Sequence, residues 1–60
     1  MNYREDLESQ LQKVTLAIQE VIEDASITEK DRHQRIEKLI SLKEAILYKG
    51  KELRIDLEAA

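Results

Sequence analysis

The sequence contains no cysteine, no proline, no phenylalanine and no tryptophan, and its single glycine is Gly50. Without cysteine there is no disulfide framework, no thiolate metal site and no thiol redox chemistry. Without proline, and with glycine only at position 50, no residue of the first 49 enforces a turn. Aromatic content stops at Tyr3 and Tyr48. No apolar run approaches the roughly 20 residues of a membrane span, so no membrane association is expected. The opening Met1-Asn2-Tyr3-Arg4-Glu5-Asp6 is charged and lacks the apolar centre of a signal peptide. A cytoplasmic location is the expectation. A glycine-rich phosphate loop, a serine elbow, a His-Glu-x-x-His pair and a nucleophile–base pair are all missing from the sequence. No enzymatic activity, cofactor or metal is therefore expected.

What the chain has is aliphatic side chains and charge. Its 60 residues allow one domain, with eight Leu, seven Ile and two Val. A chain this short rarely buries enough apolar surface to be stable alone. Ten basic and thirteen acidic side chains are unevenly divided. Residues 1–25 carry two basic and six acidic groups, and residues 26–60 carry eight and seven. Neither half is a basic patch of the kind that neutralises phosphates.

The aliphatic residues fall into two stripes. The first runs through Leu7, Leu11, Val14, Ile18, Val21 and Ala25, spaced alternately by four and three, the period of an amphipathic helix. Asn2 stands where an N-cap belongs, with Glu5 three residues on, and Glu5 and Asp6 suit the positive end of the helix dipole. The second stripe runs through Ile36, Leu39, Ile40, Ile46, Leu47, Leu53 and Leu57. Between them lies Ser26-Ile27-Thr28-Glu29, where Thr28 reads as a second N-cap and Ser26 as its rival.

The expected fold class is all-α: an antiparallel helical hairpin with a helix over about 3–25, a turn at about 26–28 and a helix over about 29–58. One uninterrupted helix is the competing architecture. It is disfavoured because extending the first register puts Thr28, Arg32 and Arg35 in core positions. Glu20, Glu23 and Asp24 crowd the negative end of the first helix, and a hairpin would bring Lys30, Arg32 and Arg35 to face them. Gly50 either caps a helix ending at 49 or lies mid-helix on the apolar face, where it permits close approach. Leu53-Arg54-Ile55-Asp56-Leu57-Glu58 alternates as a strand would. Continued helix is preferred there to an extended arm, because Leu53 and Leu57 stay on the stripe.

The second stripe spans roughly 160° when each residue turns about 100°. One neighbouring helix needs less than that. A second chain would cover the remainder, so a homodimeric four-helix bundle is expected. Leu39, Leu42, Ile46, Leu53 and Leu57 are the candidate self-association residues.

Few residues suggest chemistry. His33 is the sole histidine, with Glu29 four residues before it. Two such groups fall short of a metal site. Arg32, Arg35 and Lys38 form the only local basic cluster and are the candidate nucleic-acid contacts. Asp31 and Glu37 interrupt it and no aromatic residue lies beside it to stack bases, so nucleic acid is not the expected partner. The helix-hairpin dimer is similar in shape to the plasmid copy-control RNA-binding hairpins, whose RNA face is basic on the first helix. The first helix here is acidic.

One segment has a local likeness. His33-Gln34-Arg35-Ile36-Glu37-Lys38-Leu39-Ile40 resembles the Ser-Gln-Glu-Leu-Asp-x-Leu-Ile motif of the small hairpin phosphatases of the sporulation phosphorelay. The resemblance covers eight residues and implies a helical hairpin acting on a phospho-aspartate. It departs from the motif where the serine is His33 and the aspartate is Glu37. Leu7-Glu8-Ser9-Gln10-Leu11 is similarly like the opening of small type III secretion co-chaperones, also hairpins.

Leu16, Tyr48 and Ile55 are among the apolar residues that lie off the stripes. Leu16 points away from its helix's core face, and Tyr48 and Ile55, seven apart, form a small second stripe on the back of the second helix. Together they are the candidate partner-binding residues. The expected function is protein–protein interaction by helix-face docking, as a regulator, adaptor or assembly factor.

Overall fold

The computed structural model describes residues 2–55 and 57. Two helices, α1 (Tyr3–Glu23) and α2 (Glu29–Glu52), pack against each other as a hairpin, and the described residues contain no strand. The molecule measures 39 × 17 × 15 Å, the length expected of a helix of about 24 residues rising about 1.5 Å each.

Both helices start where side chains cap them. The Asn2 side chain accepts a hydrogen bond from the Glu5 N–H at 3.2 Å, and Thr28 Oγ1 accepts from the Asp31 N–H at 3.1 Å. Each cap satisfies one of the donors that the first turn of a helix leaves unpaired. Of the two rival caps in the turn, Thr28 prevails.

Both helices end earlier than the periodicity predicts. Helix α1 stops at Glu23 and Ala25 lies exposed in the turn. Asp24 leaves the helix in an extended conformation. Its carboxylate accepts hydrogen bonds from both the backbone N–H and the hydroxyl of Ser26, a local turn that competes with further helix. The last turn of α1 contains no basic residue. Arg32 of α2 serves it instead: Nε donates to the Val21 carbonyl at 3.3 Å and Nη2 to the Asp24 carbonyl at 2.7 Å. Its remaining nitrogen, Nη1, is paired with the Glu29 carboxylate. The guanidinium thereby satisfies carbonyls at the negative end of the α1 dipole.

Helix α2 stops at Glu52, not near 58. The Leu53 N–H donates to the Lys49 carbonyl, the Arg54 N–H to Lys51 and the Ile55 N–H to Gly50. This is the Schellman pattern, with the residue after the cap in the left-handed region. Arg54 occupies that position at φ 58°, a conformation that glycine adopts without penalty and an L side chain does not.

The chain then folds back. Leu57 is buried with Leu7, Leu11, Val14 and Ile46, and Ile18, Leu39 and Ile55 pack against that cluster. Gly50 is a buried residue within α2. A Cβ built there would lie 2.5 Å from Leu57 Cδ1 and 3.0 Å from Leu57 Cγ. Of its two expected roles, Gly50 therefore takes the close approach, and what approaches is the chain's own Leu57.

Candidate interaction surface

The hairpin core is thin. No large side chain among the described residues is fully buried, whereas eight large apolar side chains are exposed. Helix geometry explains how they are arranged. Ile46, buried in the shared core, and Leu39, packed against it, mark the line along which α2 meets α1. Residues turn about 100° apart, so Leu42 and Leu53 flank that line on one side, and Ile40 and Leu47 flank it on the other. Helix α1 covers the centre of the wide stripe and leaves both flanks in solvent, with Leu42 50% and Leu53 40% exposed.

The Leu42 flank forms a groove of about 340 Å3 at the open end of the hairpin. Its α1 wall carries Tyr3, Asp6 and Gln10, its α2 wall carries Leu42 and Lys49 with the cap residue Leu53 beyond them, and Leu7 and Ile46 form part of its lining. Tyr3 is 55% exposed. Asp6 accepts a hydrogen bond from Gln10 Nε2 at 3.2 Å. On the opposite flank Ile40 and Leu47 are exposed, as is Ile22 on α1.

The structure divides the five candidate self-association residues. Ile46 and Leu57 are buried inside the hairpin and Leu39 is half-buried against its core. They are occupied within one chain: α1 covers Leu39 and Ile46, and the fold-back after Glu52 turns Leu57 inward. Leu42 and Leu53 remain available.

The three candidate partner-binding residues do not form one patch. Ile55 lies beyond the end of α2 and packs against the core, so it shares no stripe with Tyr48. Leu16 and Tyr48 are both exposed, but each points away from the packed face of its own helix. Tyr3 and Ile22 escaped the sequence reasoning. Tyr3 stands four residues before Leu7 on the same helical face, a signal that was available. Ile22 directly follows a stripe residue and had none.

The basic cluster is also divided. Arg32 is engaged at the end of α1, so it is not a free phosphate contact. Arg35 and Lys38 are exposed. The Asp24 carboxyl is held below its usual range, first by the Ser26 hydroxyl, then by the Ser26 N–H, and further by the positive charges of Arg35 and Arg32. The acidic end of α1 is thus met by α2, although Arg32 bonds to backbone carbonyls where a carboxylate partner was expected.

His33 Nε2 lies 3.0 Å from a Glu37 carboxylate oxygen, and both side chains are exposed. The glutamate it meets is four residues after it, and Glu29, four residues before it, pairs with Arg32. Such a surface pair on one helix contributes little to stability. Among the described residues no three His, Asp or Glu side chains converge as a metal-holding group. None of the described helices is long and apolar enough to cross a membrane. No protein-family model matches the chain, and no curated protein and no solved structure matches it either.

Proposed function

We propose that this chain is a small, non-enzymatic protein–protein interaction module, a regulator, adaptor or assembly factor that acts by helix-face docking, and that it pairs with a second copy as a four-helix bundle. The observation that carries this reading is the imbalance between core and flanks. Leu42, Leu53 and Tyr3 stay exposed beside a core in which no large side chain is fully buried. Exposed apolar side chains gathered along one groove are the usual mark of a docking surface. A second hairpin is a fitting cover for a pair of parallel helical ridges. The alternative, nucleic-acid binding, has less to work with because Arg32 is engaged as a cap.

The test is thermal unfolding followed by helical circular dichroism over a hundredfold range of concentration. Self-pairing makes the midpoint rise with protein concentration, since association stabilises only the folded chain. A midpoint independent of concentration overturns the self-pairing.

A further inference from the structure

We infer that the second copy docks on the Leu42 flank, with the two hairpins related by a twofold axis parallel to their length, so that both turns lie at the same end. The inference rests on the self-pairing reading above and adds its face and its orientation.

The argument is one of charge. Rows of residues spaced by seven run along this flank. On α1 the row is Tyr3, Gln10 and Ala17, with Asp6 beside it; on α2 it is Arg35, Leu42 and Lys49. At the open end an acid, Asp6, therefore sits on α1 and a base, Lys49, on α2, with Arg35 one further base toward the turn. Asp6 and Lys49 line the two walls of one groove, at the same, open end of the hairpin. Among the described residues Lys49 forms no ion pair.

A twofold interface brings a patch against itself. An axis parallel to the hairpin keeps every residue at its level and lays α1 of one protomer over α2 of its partner. Asp6 then faces Lys49 of the partner subunit, twice by symmetry, and Leu42 and Leu53 are covered between them. An axis across the hairpin instead lays each helix over its own copy with the ends reversed. That arrangement takes Asp6 away from Lys49 and sets Lys49 near Arg35 of the partner subunit, and like charges brought together are penalised. The charge pattern thus selects the first arrangement. Lys13, a base on α1, is exposed toward the outer edge of the flank.

The test combines solution mass with charge reversal. Asp6→Lys and Lys49→Asp each replace attraction by repulsion at two symmetric places, and each should weaken the dimer about tenfold or more. The double variant Asp6→Lys/Lys49→Asp restores both pairs and should recover most of the affinity. Leu42→Glu should give a monomer with helical content intact, because Leu42 is already half exposed, and Ile40→Glu should leave the dimer unchanged. Spin labels on Ala25→Cys, unique in a chain without cysteine, should lie within the width of one bundle. A label separation near the 39 Å hairpin length would overturn the orientation. A dimer dissociated by Ile40→Glu and untouched by Leu42→Glu would overturn the face while leaving self-pairing in place. Wild-type protein that is monomeric throughout would overturn both.

Discussion

Arg32 donates a hydrogen bond to the backbone carbonyl of Asp24 at 2.7 Å, so the second helix closes the end of the first. The same guanidinium reaches the Val21 carbonyl and the Glu29 carboxylate. A planar fork can satisfy three acceptors at once, which an ammonium on a flexible stem cannot. Arg32→Ala is expected to destabilise the hairpin by about 1–2 kcal/mol, the scale of charged hydrogen bonds at a helix terminus. Arg32→Lys should recover less than half of that. Urea titration reads both, as a lower midpoint with an unchanged slope.

Gly50 and Leu57 are coupled through the space that a Cβ would take. Alanine in place of glycine inside a helix ordinarily stabilises by about 1 kcal/mol. Here the new methyl group meets Leu57 Cδ1 and Cγ, so Gly50→Ala in the wild-type chain should lower stability. Leu57→Ala alone should cost about 2 kcal/mol, the low end for a buried leucine. In that background Gly50→Ala should become stabilising. The double-mutant cycle measures the change of sign as an interaction energy, and additive effects would contradict the contact.

Arg54 holds φ 58° at the end of α2. Glycine relieves the left-handed penalty of about 1–2 kcal/mol per residue, partly offset by the greater freedom of the unfolded chain. Arg54→Gly is expected to stabilise by about 0.5–1 kcal/mol. Arg54→Val should destabilise, because a β-branched residue tolerates this region poorly. Chemical denaturation of the two variants side by side checks the opposite signs.

Asp24 confers an acid limit. Its folded-state pKa is depressed, above all by the Ser26 hydroxyl, so the ionised carboxylate favours the folded chain. That contribution is fully present above the unfolded value of about 3.9 and is lost as pH falls through the lower folded value. Asp24→Asn should flatten this part of the loss below about pH 4. Ser26→Ala should move the Asp24 titration, followed by NMR, up toward the ordinary carboxylate range. A titration unmoved by Ser26→Ala would contradict the assigned cause.

Helix starts were legible in the sequence, and the end of α1 to within two residues, whereas the end of α2 was not. Asn2 and Thr28 cap their helices through residues three positions away, so the signal is local. The end of α1 is set by the local Asp24–Ser26 turn, with Arg32 satisfying its last carbonyls. The end of α2 depends on a non-glycine residue entering the left-handed region, which leaves no periodic trace. Leu57 illustrates the consequence. Its spacing continues the α2 stripe, yet it reaches the core by reversing direction after Arg54. The width of the second stripe did announce exposed apolar surface, and Leu42 and Leu53 supply it. The stripe could not tell which of its members the first helix would cover, because that depends on how the two helices are rotated against each other.

The most direct test of the central claim is solution mass by light scattering coupled to size-exclusion chromatography, over a tenfold range of concentration. The Leu42 flank predicts twice the 7.0 kDa chain mass, falling toward a single chain on dilution. A mass of one chain at every concentration would contradict it, and the groove between Tyr3 and Leu53 would then have no second copy to fill it.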